Sequence, residues 1–83
     1  MDDDLLITDN HFSTDDLALA AALAMFYPIA AVDRDNPHGM QFVFQRYSSM
    51  RDVIEQYRSG DLSVEPRAYA ERLHRLQAMG NGN

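Results

Sequence analysis

One segment of the chain has the residue types of a cation site, the polar stretch Asp33-Arg34-Asp35-Asn36-Pro37-His38-Gly39. Calcium loops space their oxygen ligands in a similar way, but they place glycine at the sixth position and glutamate at the twelfth. Here glycine stands at the seventh position and Phe44 at the twelfth. We therefore predict no metal site, because the same residue types are typical of a turn between strands.

The sequence also lacks the residue spacings of other metal sites and of catalytic sites. His11, His38 and His74 lie on separate segments, without the i, i+4 spacing of a helical metal site. The serines form no Gly-x-Ser-x-Gly elbow, and the glycines form no phosphate loop. Asp15 and Asp16 stand at a helix start, where the helix dipole explains two carboxylates. We predict a protein that is not an enzyme and has no cofactor and no small-molecule substrate.

Several aromatic and arginine residues favour a binding function instead. Phe42, Phe44 and Tyr47, with Arg34 and Arg46, resemble a stacking platform for single-stranded nucleic acid. The alternation of the strand assigns both phenylalanines to the core, however, and the chain is acidic. A nucleic-acid-associated regulator that uses the C-terminal arginines stays the alternative function.

Composition limits the protein to one small domain. The chain has 83 residues, no cysteine and a net charge of −6. Residues 1–45 hold eight acidic side chains and one arginine, whereas residues 46–83 hold five acidic side chains and six arginines. A chain of this length forms only a thin hydrophobic core, so binding to a partner protein or self-association would stabilise it. An acidic amino terminus and an apolar run of only 17–27 lead us to expect a cytoplasmic protein with no membrane segment.

The chain divides into an acidic leader (1–12), a single domain (13–79) and a flexible tail (80–83). Within the leader, Leu5 to Thr8 is a candidate edge strand. Ser13 or Thr14 is expected to cap the first helix, with the next two aspartates in its first turn. The helix body, Leu17 to Phe26, is apolar on nearly every side, which predicts burial.

A hairpin should follow the first helix. Ile29 to Val32 forms one strand and Met40 to Tyr47 the other. In the second strand Met40, Phe42 and Phe44 share a face that should pack on the helices. The N-terminal segment would add a third strand.

Two amphipathic helices complete the α+β fold, whose order is helix, strand, strand, helix, helix. Ser48 or Ser49 should start the second helix and Gly60 should end it. Pro66 suits the first position of the third helix, with Glu65 or Ser63 as its cap. The apolar stripes of the two helices, at helical spacing, are Met50, Val53, Ile54 and Tyr57, then Tyr69, Leu73, Leu76 and Met79.

Several fixed residues resemble a family of small domains of unknown function from bacteria, archaea and their phages. The matching segments are Thr14-Asp15-Asp16-Leu17 with the alanines after it, Phe42-Val43-Phe44, Tyr57-Arg58-Ser59-Gly60, and Val64-Glu65-Pro66 followed by Tyr69. The resemblance covers about residues 12–79 and departs in the hairpin loop, where Pro37 and His38 replace a tight glycine turn. It implies this fold and a mobile-element setting, and it implies no catalytic residue.

Together these observations predict a small non-catalytic protein-interaction module that binds a host or viral protein as an inhibitor or accessory subunit. If the Ala20 and Ala24 side of the first helix is uncovered, a second copy or a partner could dock there. The residues expected to contribute to interaction are Asp15, Asp16, Ala20, Ala24, Arg34, Arg58, Arg67, Arg72 and Arg75.

Overall fold

The computed structural model describes residues 10–37 and 39–80, and residues 6–7 at the level of the backbone. The α+β fold is confirmed. Its elements in chain order are β1 (Leu6–Ile7), β2 (His11–Thr14), α1 (Leu17–Ala24), β3 (Ile29–Asp33), β4 (Gln41–Gln45), α2 (Met50–Ser59) and α3 (Pro66–Gly80). Residues 1–5 of the leader, Thr8, Asp9, His38 and the tail residues 81–83 lie outside the described residues.

The strands form one antiparallel sheet in the order β1-β2-β4-β3. The β3–β4 hairpin is confirmed, but the strand beside it is β2, whose first two residues, His11 and Phe12, fall in the predicted leader. Phe12 and Thr14 alternate onto the core face and are 1% and 6% exposed. The structured domain therefore begins before residue 13.

The position of β2 changes the start of α1. Ser13 and Thr14 belong to the strand, so neither caps the helix. The N-cap is Asp16, whose carboxylate accepts the backbone N–H of Leu19 at 3.1 Å. Asp16 is thus outside the first turn, which contains no acidic residue. The helix itself ends at Ala24, two residues earlier than predicted.

The core lies between one face of the sheet and the helices. Phe42 and Phe44 are 1% and 0% exposed, which confirms the predicted core face of β4. The apolar stripes of α2 and α3 pack against this core as predicted, with Ile54 and Leu76 buried. No described helix combines the length and apolar character needed to cross a membrane.

The ends of α2 and α3 follow the predicted signals. Gly60 ends α2 with a left-handed φ of 84°. Pro66 is the first residue of α3, and the Glu65 carboxylate accepts the backbone N–H groups of Arg67 and Ala68. Gly80, expected in the tail, is instead the last residue of α3.

Helix α1 is covered from outside by α3. Ala20 is 0% exposed, and Ala24 is partly buried against the core. The hydroxyl of Tyr69 donates to the carbonyl oxygen of Ala18 at 3.1 Å, and Nε of Arg72 donates to that of Ala24 at 3.3 Å. The condition for docking on the Ala20 and Ala24 side, that this side is uncovered, is therefore not met.

Candidate protein-interaction surface

Three aromatic side chains gather where α1 leads into β3 and where β4 ends. We call Phe26, Tyr27 and Tyr47 the aromatic cluster. The rings of Tyr27 and Tyr47 stack with centroids 5.1 Å apart and planes 13° apart. The Phe26 ring lies 6.4 Å from that of Tyr27 and is tilted by 59°. These are favourable aromatic geometries.

Local backbone structure brings the cluster together. After α1 ends, the backbone N–H groups of Phe26 and Tyr27 both bond the carbonyl oxygen of Leu23, at 2.9 and 2.8 Å. This tight turn holds two consecutive aromatic residues just before Pro28, which cannot continue a helix. The hydroxyl of Tyr27 also lies 2.5 Å from that of Ser49, at the start of α2.

The cluster is the most exposed apolar feature in the described part of the chain. Phe26 is 51% exposed and Tyr47 is 39% exposed, and the described residues contain no other exposed large hydrophobic side chain. An exposed phenylalanine next to two other aromatic rings differs from an isolated apolar residue on the surface, which is common in folded proteins. Aromatic rings with hydroxyl groups at their margins are enriched at protein–protein interfaces.

The predicted interaction residues do not form one surface. Several serve the fold: Asp16 caps α1, Ala20 is buried, and Arg72 donates to the end of α1. Arg34 donates to the main-chain carbonyl oxygen of Met79 at the end of α3. Those that are exposed are Asp15, Asp16, Arg34, Arg58, Arg67 and Arg75.

The nucleic-acid platform is not assembled either. Phe42 and Phe44 are buried, so only Tyr47 of the three aromatic residues is exposed. Arg34 follows the end of β3 that pairs with the start of β4, whereas Arg46 follows the end of β4. The two arginines therefore lie at opposite ends of the hairpin.

The polar loop after β3 has turn geometry. The backbone N–H of Asp35 bonds the Asp33 carboxylate at 3.0 Å, and that of Gly39 bonds the carbonyl oxygen of Asn36 at 3.0 Å. Gly39 has a φ of 106°, which explains the glycine. Within the described residues, no group of three His, Cys, Asp or Glu side chains could hold a metal ion.

Phe26 is the candidate interaction residue that the sequence interpretation missed, because the apolar run assigns it to the buried body of α1. Pro28 disfavours helical conformation only at Tyr27, so it agrees with a helix that ends at Phe26 and gives no signal for the observed end at Ala24. Comparisons with protein families, with curated proteins and with solved structures found no significant match.

Proposed function

We propose that this chain is a small non-catalytic interaction module that binds a partner protein through the aromatic cluster. The observation that carries the proposal is the exposure of Phe26 and Tyr47, 51% and 39%, beside Tyr27, on which Tyr47 stacks and against which Phe26 is tilted. Aromatic side chains at the centre of an interface often account for most of its binding energy. The family resemblance adds a phage or mobile-element setting, in which the partner is a host or viral protein and the module an inhibitor or accessory subunit.

Preorganisation of the aromatic cluster lowers the free-energy cost of binding through it. Burying the exposed half of a phenylalanine side chain contributes on the order of 1 kcal/mol. The stacked Tyr27 and Tyr47 rings are already ordered, with Tyr27 held at its hydroxyl by Ser49, so binding does not incur their full ordering cost. The cluster therefore offers a rigid apolar anchor on an otherwise polar, acidic protein.

The test is capture of a stoichiometric partner from bacterial or archaeal host lysate, with or without phage infection. The wild type is compared with a Phe26→Ser, Tyr47→Ser double variant and with Gln56→Ser, a control at an exposed position of α2. We expect wild type and control to retain the partner and the double variant to lose it. Equal capture by all three proteins, or no stoichiometric partner, would refute the proposal.

A further inference from the structure

The outward face of α3 is a second surface, separate from the aromatic cluster. The inward face packs on α1 and the core through Tyr69, Leu73 and Leu76. On the outward face lies an open, mainly apolar depression of about 560 Å³. The residues that line it are Ala70, Glu71, His74, Arg75 and Ala78.

One negative and one positive side chain border this depression. Glu71 and Arg75 are four residues apart, about 6 Å along the helix axis, and both are exposed. Within the described part of the chain, neither side chain makes a hydrogen bond or an ion pair with another residue. Both charges are therefore free to interact with a molecule that covers the depression.

We propose that the outward face of α3 is a self-association surface, on which α3 of a second copy packs in the antiparallel direction. A two-fold axis midway between Glu71 and Arg75 sets each Glu71 opposite Arg75 of the other copy. The contact thus contains two identical ion pairs, as an isologous interface requires. A parallel arrangement would oppose like charges and is disfavoured.

The shape of this face also allows a second copy as the occupant. Ala70 and Ala78 have small side chains but His74 lies between them, so two helix axes should be about 10 Å apart, a separation that the longer Glu71 and Arg75 side chains can span. Two chains of net charge −6 repel each other, so the two ion pairs must offset part of this repulsion.

A contact of about three helical turns is smaller than a standard interface, so the dimer should be weak and dependent on concentration. Sedimentation equilibrium from micromolar to millimolar protein measures its dissociation constant. The test compares wild type with Glu71→Arg, with Arg75→Glu and with the double exchange of both residues. Far-UV circular dichroism checks that all four proteins keep their helices.

Each single change replaces two attractions by two repulsions and should weaken the dimer about tenfold. The double exchange restores opposite charges across the two-fold axis and should return the dissociation constant to within about threefold of wild type. A monomeric wild type, or a double exchange as weak as the single variants, overturns the proposal. Loss of the dimer in the Phe26→Ser, Tyr47→Ser variant would also overturn it, because the aromatic cluster would then be the contact surface.

Discussion

The hydroxyl of Tyr57 donates a 3.3 Å hydrogen bond to one carboxylate oxygen of Asp16, 41 residues earlier in the chain. The other oxygen of the same carboxylate accepts the backbone N–H of Leu19 and caps α1. A single side chain therefore starts the buried helix and also joins it to α2. This explains why Asp16, which the sequence suggests as a binding residue, is better understood as part of the fold.

Replacing Asp16 by alanine should lower the free energy of unfolding by about 1–2 kcal/mol, because the cap and the bond from Tyr57 are lost together. Urea denaturation followed by circular dichroism measures the change. Asp15→Ala is the matched control, since Asp15 is exposed and next in sequence, and it should change stability by less than about 0.5 kcal/mol. Equal effects of the two substitutions would contradict the assigned cap.

Tyr57 also predicts a dependence of stability on alkaline pH. Burial raises the pKa of the Tyr57 hydroxyl above its ordinary value, and the charge of Asp16, the hydrogen bond to it and nearby Tyr69 raise it further. The neutral hydroxyl is favoured in the folded state, so this contribution is complete below the pKa of an unfolded tyrosine, about 10. It is lost as the pH rises through the higher folded-state pKa.

Tyr57→Phe removes this titration. The stability of the wild type should therefore fall more steeply than that of the variant as the pH is raised above about 10. Urea midpoints measured between neutral and strongly alkaline pH provide the comparison, since the two proteins differ only in the Tyr57 hydroxyl. Parallel curves for the two proteins would show that Tyr57 is not the responsible group.

Arg72 provides the positive charge that α1 lacks at its C-terminus. The last turn of α1 has no basic residue of its own, and Nε of Arg72 donates to the carbonyl oxygen of Ala24. Arg72→Ala should cost about 1 kcal/mol through loss of this bond and of the interaction with the helix dipole. Arg51→Ala, at an exposed arginine of α2, is the control and should be nearly neutral. Thermal unfolding at equal ionic strength would compare the two.

The fold was predictable wherever a short segment determines its own structure. The alternation around Phe42 and Phe44, the glycine at the end of α2 and Pro66 at the start of α3 each depend on neighbouring residues, and each is confirmed. Strand β2 was not predictable in this way, since His11 to Thr14 alternates over only four residues. The serine and threonine of this segment are equally suited to a helix cap, and only pairing with β4 decides between the two structures.

The surface was less predictable, because it depends on which residues distant in sequence cover one another. The alanine-rich apolar sequence of α1 predicts that this helix is buried. It does not predict that α3 is the element that covers Ala20. Arg72 looks like any exposed arginine until its distance from Ala24 is known. Phe26 and Tyr47 are separated by the whole hairpin, so their common cluster with Tyr27 is a consequence of tertiary structure.

The two glycines at helix ends give a matched pair of substitutions. Gly60 has a φ of 84°, a left-handed conformation that a side chain disfavours, although nothing lies within 4 Å of the place that a β-carbon would occupy. Gly60→Ala should therefore destabilise the protein by about 1 kcal/mol through backbone strain alone.

At Gly80 the added β-carbon meets only the flexible Met40 side chain, whose methyl group is 2.9 Å away, and the backbone is helical. Gly80→Ala should be nearly neutral, because the Met40 side chain can move and alanine favours the helix. Chemical denaturation of both variants tests the difference, and a larger loss at Gly80 than at Gly60 would contradict it.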